Sequence, residues 1–281
     1  MKNSELIVKK GSRILKSHNI SSSQLDAEIL LSKVLNVERV KLLLKQFYLN
    51  KAQEKKFYDL ISRRSKSEPV AYILKNREFY SLNFFVNKNT LIPRPETEII
   101  VDKILKIYKG KKIKILDIGT GSGCIIISLL KNLKNSSGVG IDISREALNI
   151  AKMNSRILLK NQSDRIKLFN RSIENFETGR KFDLIISNPP YILSNSIRSL
   201  VRDIKDYEPK LALDGGKDGL DVIEKVIYKS TKLLKLNGSL AIEIGNKQYL
   251  SVKKILEKNK FRKTFILKDF KENIRCIIAK L

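Results

Sequence analysis

The spacing of apolar positions changes twice along this chain, and each change marks a different kind of structure. Over residues 1–75 apolar side chains recur at helical spacing. Leu6, Ile7, Ile14 and Leu15 share one segment, and Leu25, Ile29, Leu30 and Val34 share the next. Phe57, Leu60 and Ile61 fall on one face of Lys51 to Arg64. Asn3 or Ser4 suits the start of the first helix, and Ser22 or Ser23 the start of the second, because their side-chain oxygens can accept from the unpaired N–H groups of a first turn. Asn36 suits the end of the second helix, and a short amphipathic stretch runs from Val40 to Leu44. No glycine or proline interrupts the region between Gly11 and Pro69, so a small helical bundle is expected.

From Glu78 to Ile92 the period falls to two, with Phe79, Leu82, Phe84 and Val86 set among polar residues. That alternation predicts a β-hairpin. The segment Leu91-Ile92-Pro93-Arg94-Pro95-Glu96-Thr97-Glu98 ends it. Its prolines stiffen a linker, and Glu96 and Glu98 suit the first turn of a helix reaching about Tyr108. From Lys112 onward short apolar runs alternate with helical stretches. The runs lie at Ile113 to Leu116, Val139 to Ile141, Ile166 to Phe169, Leu184 to Ile186 and Leu240 to Ile244. This is the pattern of a parallel sheet covered on both faces, an α/β fold. Thr264 to Leu267 and Ile274 to Ala279, separated by a short charged loop, fit an antiparallel pair at the sheet edge. The expected organisation is a helical domain over 1–75, a β-hairpin linker over 76–95 and a catalytic domain over 96–281.

Composition removes several chemistries. With 281 residues, 42% of them hydrophobic, the chain can bury a sizeable core. Its apolar runs are short and none approaches the roughly 20 residues of a membrane span. Met1 to Glu5 leads into a charged helical pattern and not an apolar signal core, so a soluble cytoplasmic protein is expected. Two cysteines and one histidine, His18, are too few for a Cys/His zinc cluster, and no metal is expected. Cys124 sits in an apolar run and reads as a buried thiol. The formal net charge of +27 suggests a nucleic-acid or ribonucleoprotein partner. Yet lysine, asparagine and isoleucine are abundant everywhere, as AT-rich coding produces, and the lysines form no single tract. Direct nucleic-acid binding is therefore left open.

Two loops carry the candidate chemistry. After the first strand of the sheet comes Asp117-Ile118-Gly119-Thr120-Gly121-Ser122-Gly123. Glycines at alternate positions let the backbone turn sharply and approach a ligand where Cβ atoms would clash. The spacing differs from the dinucleotide fingerprint and lacks the Lys-Ser/Thr of a P-loop. The opening acid would repel phosphate and suits a ligand carrying an ammonium or sulfonium charge. The next strand ends in Asp142, placed to accept from ribose hydroxyls. The competing readings are a glycine turn that lets helix pack on strand, and for Asp142 a helix N-cap. At the end of the third strand Ser172 could bond an adenine amino group and Ile173 could cover its face, although the same residues could simply close a turn.

The fourth strand ends in Asn188-Pro189-Pro190-Tyr191. Consecutive prolines fix φ and remove two N–H donors, so local carbonyls point outward. The Asn188 side-chain oxygen and the Pro189 carbonyl can then accept from a single NH₂ group, on a planar amide or an exocyclic amine. An amide nitrogen is a poor nucleophile, and two fixed acceptors would build electron density on it and aim it at an electrophilic methyl. Tyr191 would pack against the flat substrate group.

At these residues the chain resembles the HemK/PrmC family of bacterial N(5)-glutamine methyltransferases. The resemblance covers nearly the whole chain and includes Glu68-Pro69-Val70-Ala71-Tyr72-Ile73, Arg77-Glu78-Phe79-Tyr80, the Leu91 to Glu98 segment, both loops, Tyr207-Glu208-Pro209 and Leu211-Ala212-Leu213. It implies a class I S-adenosylmethionine-dependent methyltransferase: Rossmann-like, with a mostly parallel seven-stranded sheet and an antiparallel edge pair. It implies S-adenosyl-L-methionine as cofactor, held by the glycines of the Gly119 to Gly123 loop and by Asp142; from their own positions in the sequence Asp117, Thr120, Ser122, Ser172, Ile173 and Asn188 are expected to join them. The implied substrate is the glutamine of the Gly-Gly-Gln loop in class 1 release factors, docked with help from the helical domain. Asn188, Pro189, Pro190 and Tyr191 would hold the amide, and Pro93, Arg94 and Glu96 would help wall the pocket. An acid is common in the family where Ser172 stands. A monomer is expected. Two alternatives share the Asn-Pro-Pro-Tyr loop: a ribosomal-protein glutamine methyltransferase and an adenine-N6 methyltransferase of DNA or RNA. Against the latter, no target-recognition domain is inserted and no aromatic platform stands out beyond Tyr191.

Overall fold

The structure is a computed structural model that describes residues 2–281, apart from the side chains of Lys2, Lys263 and Thr264. Met1, the first residue of the expected helical segment, lies outside the described residues. The chain divides into two compact units, residues 1–76 with 201–207 and residues 77–200 with 208–281.

The first unit runs β1 (Lys2–Asn3), α1 (Ser4–Ser17), α2 (Ser23–Leu35), α3 (Arg39–Leu44), β2 (Tyr48–Leu49), α4 (Lys51–Ser65) and α5 (Val70–Leu74). Asn3 caps α1, accepting from the Glu5 N–H at 2.8 Å. At α4, Asn50 and Gln53 cap each other's backbone reciprocally. Ser22 takes the cap position of α2, but its hydroxyl donates to Asp26 instead of capping. Asn36 ends that helix in the left-handed region at φ 53°. Ile7, Leu15, Leu30, Leu31, Phe57 and Ile61 form the core. The buried Arg64 donates to Asp26 at 2.7 Å and pairs with Asp203 at 2.8 Å. The Tyr207 hydroxyl donates to the Lys66 carbonyl at 2.9 Å. These bonds draw 201–207 into the helical unit. Breaking such a buried pair by removing one partner typically costs about 3–5 kcal/mol. The antiparallel pairing of β1 with β2 is an addition to the expected all-helical bundle.

The second unit opens with the hairpin β3 (Arg77–Phe79) and β4 (Leu82–Phe84). Tyr80 and Ser81 turn it with φ of 49° and 57°, matching the twist a two-residue hairpin loop needs. Phe79 and Phe84 are buried and meet edge to face, ring centroids 6.2 Å apart. The strands stop well short of the expected Ile92. Phe85 donates its N–H to Asn154 Oδ1 at 2.8 Å and accepts from Asn154 Nδ2 at 3.0 Å. A single side chain thus occupies the backbone groups that a further rung would use.

A 3-10 turn at Pro95–Thr97 leads into α6 (Glu98–Ile107). The sheet follows as β5 (Lys114–Ile118), α7 (Cys124–Asn132), β6 (Ser137–Asp142), α8 (Arg145–Leu159), β7 (Ile166–Asn170) and β8 (Phe182–Ser187). It is completed by α9 (Asp221–Leu233), β9 (Leu234–Glu243), α10 (Tyr249–Lys258), β10 (Arg262–Lys268) and β11 (Ile274–Lys280). The seven strands lie in the order β10-β11-β9-β8-β5-β6-β7. β7, β6, β5, β8 and β9 are parallel, and β11 runs antiparallel to both β9 and β10. Ile115, Leu116 and Ile118 are buried on both sides of β5, which explains its continuous apolar run. After β7 the chain crosses back to lay β8 on the other side of β5. That reversal opens a crevice beyond the carboxyl ends of β5, β6 and β8. Among the described residues no helix is long and apolar enough to cross a membrane.

Candidate active site

The reversal brings the two predicted loops to one cavity of about 360 Å³, lined by Gly119, Gly121, Asp142, Ile173 and Asn188 among others. Gly119 and Gly121 both sit at positive φ, 71° and 55°. A Cβ on Gly119 would meet nothing within 4 Å, so the loop leaves ligand space open on that side. Gly123 serves packing instead: a Cβ there would stand 2.7 Å from Ile127 Cδ1 and 3.3 Å from Ala151 Cβ. Asp142 ties the loop to β6. Its Oδ2 accepts from the Gly121 N–H at 2.8 Å and its Oδ1 from the Ser144 N–H at 2.9 Å. Ser144, not Asp142, caps α8, accepting from the Ala147 N–H at 3.1 Å. Each carboxylate oxygen retains a lone pair for a further donor. Burial holds the Asp142 carboxyl above the usual range, partly offset by those backbone bonds.

Beneath the loop Asp117 is fully buried. Its Oδ2 accepts from the Thr120 hydroxyl at 2.7 Å, while Oδ1 has no well-formed hydrogen bond. Burial pushes its carboxyl up to about 7, with Asp142 adding to the shift and the Thr120 hydroxyl and Ile126 N–H opposing it. An incompletely satisfied buried acid favours a cationic neighbour. Cys124 is half-buried and not fully enclosed, and burial raises its thiol to about 12.

On the other side of the crevice Ser187 anchors the end of β8 by donating to the Ile118 carbonyl at 2.8 Å. Asn188 follows, half-buried, with Nδ2 donating to Thr97 Oγ1 at 3.2 Å. Thr97 in turn donates to Glu243 Oε2 at 2.6 Å. The Tyr191 hydroxyl donates to Glu243 Oε1 at 3.4 Å. Tyr191 packs against the sheet core and is not among the residues lining the cavity. Burial and the Glu243 carboxylate push its phenol up. The loop rests on closely approaching glycines: a Cβ on Gly215 would stand 2.7 Å from Tyr191 Cα, and one on Gly219 would strike the Tyr191 carbonyl. Gln248 Nε2 bridges the Tyr191 and Gly219 carbonyls at 3.2 and 3.1 Å.

Other predicted residues stand apart from the cavity. Ser172 does not line it; its hydroxyl accepts from the Asn175 N–H at 3.3 Å. The acid at this edge is Glu174, paired with Lys225 at 2.7 Å, and both line the cavity. Pro93, Arg94 and Glu96 also lie off its lining, as do Asp117, Thr120, Ser122 and Gly123 of the glycine loop and Pro189 and Pro190 after Asn188. Arg94 is held by Glu208 at 2.6 Å, and Glu208 Oε2 accepts from the Ile92 N–H at 3.1 Å. The Ile92 to Arg94 segment therefore braces Glu208, just ahead of Pro209, Leu211 and Ala212, which line the wall. Those wall residues belong to motifs visible in the sequence. Lys88 to Leu91 also line the cavity, a few residues after Phe85 is held by Asn154. Among the described residues no cluster of His, Cys, Asp and Glu could hold a metal ion.

This architecture recurs in known proteins. A methyltransferase from Pyrococcus furiosus shares the fold with a TM-score of 0.54 at 20% identity, over 75% of this chain and 96% of that one. Residues 7–74 match the PrmC N-terminal domain and residues 109–276 a methyltransferase domain. The release factor glutamine methyltransferase of Clostridium botulinum is 41% identical over 274 residues, 96% of each chain. That of Clostridium acetobutylicum is 39% identical over 270 residues, 95% of this chain and 94% of that one. With such relatives along nearly its whole length, the chain belongs to the PrmC family of release factor glutamine methyltransferases.

Proposed function

We propose that the protein transfers a methyl group from S-adenosyl-L-methionine to the side-chain amide nitrogen of the Gly-Gly-Gln glutamine in class 1 release factors. The observation that carries this reading is the single cavity shared by the glycine loop, the Asp142 carboxylate and Asn188. The residues present fit the cofactor. The remaining lone pairs of Asp142 suit ribose hydroxyls. Gly119 leaves the space where a Cβ would stand, Ile173 offers an apolar wall for a purine, and the acid at Asp117 suits a cationic ligand. When bound, S-adenosylmethionine supplies a methyl on a sulfonium centre whose leaving group is a neutral thioether, so no strong acid is needed.

This chain's own residues supply orientation. Asn188 Oδ1 and the Pro189 carbonyl accept the two amide hydrogens, and the rigid Pro189-Pro190 step keeps both acceptors in place. The lone pair of the amide nitrogen is thereby aimed, and one N–H proton is released as the nitrogen gains its methyl group. Fixed acceptors in a closed site act mainly through proximity and electrostatics, which together are worth several kcal/mol. The helical unit docks the factor, and the enzyme works as a cytoplasmic monomer.

The test is direct. The protein is incubated with labelled S-adenosylmethionine and, separately, a class 1 release factor, the same factor with its Gly-Gly-Gln glutamine replaced, total ribosomal protein, and DNA or RNA. Label is expected in the intact factor alone. Label in nucleic acid or ribosomal protein, with none in the factor, would overturn the proposal.

A further inference from the structure

A carboxamide can face a cavity in two orientations of nearly the same shape, so packing does not choose between them. Only one orientation of Asn188 works for the reaction proposed above, on which this inference rests. Its oxygen must meet the substrate amide hydrogens, because the flipped side chain would set donor against donor. Asn188 Nδ2 donates to Thr97 Oγ1 at 3.2 Å, and Thr97 donates its own hydrogen to Glu243 Oε2 at 2.6 Å. A hydroxyl carries one hydrogen, and an ionised carboxylate only accepts. Once Thr97 has given its hydrogen to Glu243, it can only accept from Asn188, and Nδ2 must be the atom that faces it. The Tyr191 hydroxyl contacts the second Glu243 oxygen at 3.4 Å. Thr97 and Glu243 are 2% and 4% exposed, so water does not compete for these bonds.

We propose that Thr97 and Glu243 are positioning residues that give this hydrogen-bond chain one direction and so hold the Asn188 oxygen toward the substrate. Neither touches the reacting atoms. The acceptor-only group lies at the end of β9, the relay in the turn before α6, and the amide at the end of β8.

The experiment measures kcat and KM for methylation of a release factor. Thr97→Val keeps the shape and removes the hydroxyl; it should lower kcat by about 10-fold or more while KM for cofactor and factor changes less than about twofold. Thr97→Ser restores the hydroxyl and should recover most of the rate even if the valine variant is less stable. Asn188→Asp replaces the amide by a group whose two oxygens are equivalent. In that background, under single-turnover labelling, Thr97→Val should cost less than about threefold, because no orientation remains to be chosen. Two results would overturn the inference: an unchanged kcat for Thr97→Val, or an equal loss in both backgrounds. No transfer by the wild-type chain would instead overturn the functional reading, which keeps the two failures distinct.

Discussion

Replacing Glu243 by glutamine should stabilise this protein at pH 8 and leave its stability near pH 5 almost unchanged. The carboxyl is 4% exposed. Burial pushes its pKa from 4.5 up to about 7; Glu96 adds to the shift, while Thr97, Tyr191 and Arg275 oppose it. Between those two values the folded state holds a proton that the unfolded chain has lost, so stability falls as pH rises through this window. Below it both states are protonated, and above it both are ionised and the loss is complete. At 1.36 kcal/mol per unit, the full loss is on the order of 3 kcal/mol. Glutamine has nearly the same shape, can accept from Thr97 through its carbonyl, can donate to the Tyr191 hydroxyl, and does not titrate. Urea unfolding followed by circular dichroism in steps from pH 5 to pH 8 gives the difference between variant and wild type. The difference is the readout, because Asp117, also raised to about 7, imposes the same slope on both proteins. A difference that stays constant with pH would refute the reasoning. A wild type that is the more stable at pH 8 would show that attraction to Arg275 exceeds desolvation.

Three further outcomes are expected. At saturating cofactor, kcat should rise with pH through about 7, because a protonated Glu243 can donate to Thr97 and reverse the chain; Glu243→Gln should flatten this limb and lower the plateau, and an unaltered limb would assign it elsewhere. Asp142→Asn should weaken S-adenosylmethionine binding by about 10- to 100-fold in calorimetry, since an amide can accept only one of the two N–H groups from Gly121 and Ser144 and loses charge-assisted bonding; an unchanged Kd would remove Asp142 from the cofactor site. Gly219→Ala, at φ 76° and against the Tyr191 carbonyl, should cost about 1–3 kcal/mol in thermal unfolding and reduce kcat, whereas wild-type behaviour would show that the loop does not rest there.

The parts of the fold that were legible are those whose signal is local. Strands covered on both faces read as continuous apolar runs, and β5, β6, β8 and β9 lie where those runs are. The helices α1, α2 and α4 follow their apolar periods, and Asn3 and Asn36 stand at helix ends as expected. What was not legible depends on partners far away in sequence. The hairpin ends at Phe84 because Asn154, 69 residues further on, takes the backbone of Phe85. The Arg94 segment braces a wall instead of forming it because Glu208 lies 114 residues away. The β1–β2 pair is only two residues long on each side and leaves no alternation to read. Within the cavity, Gly119, Gly121, Asp142 and Asn188 are visible because each belongs to a short motif of fixed spacing at a strand end. Thr97 and Glu243 are 146 residues apart, and each looks ordinary alone. One signal was present: Ala241-Ile242-Glu243-Ile244 sets an acid among apolar residues in a strand covered on both faces, where an acid needs a reason.

Asp117 and Glu243 make the same point about how this site is built. Both stand at or near the carboxyl end of parallel strands, both are buried, and burial raises both to about 7. Each therefore lowers the stability of the folded state at neutral pH and above. Neutral replacements of similar shape would remove that cost, so the acids need a role that an amide cannot fill. Under the proposed function the role of Asp117 is its charge beneath the glycine loop, which suits a cationic ligand. For Glu243 it is direction, because an ionised carboxylate accepts and never donates, whereas a glutamine can do either and leaves the chain free to reverse. The expected pairing is therefore opposite in sign: Glu243→Gln gains stability at pH 8 and loses turnover. A variant that gained both would mean that the buried acid serves neither folding nor the reaction.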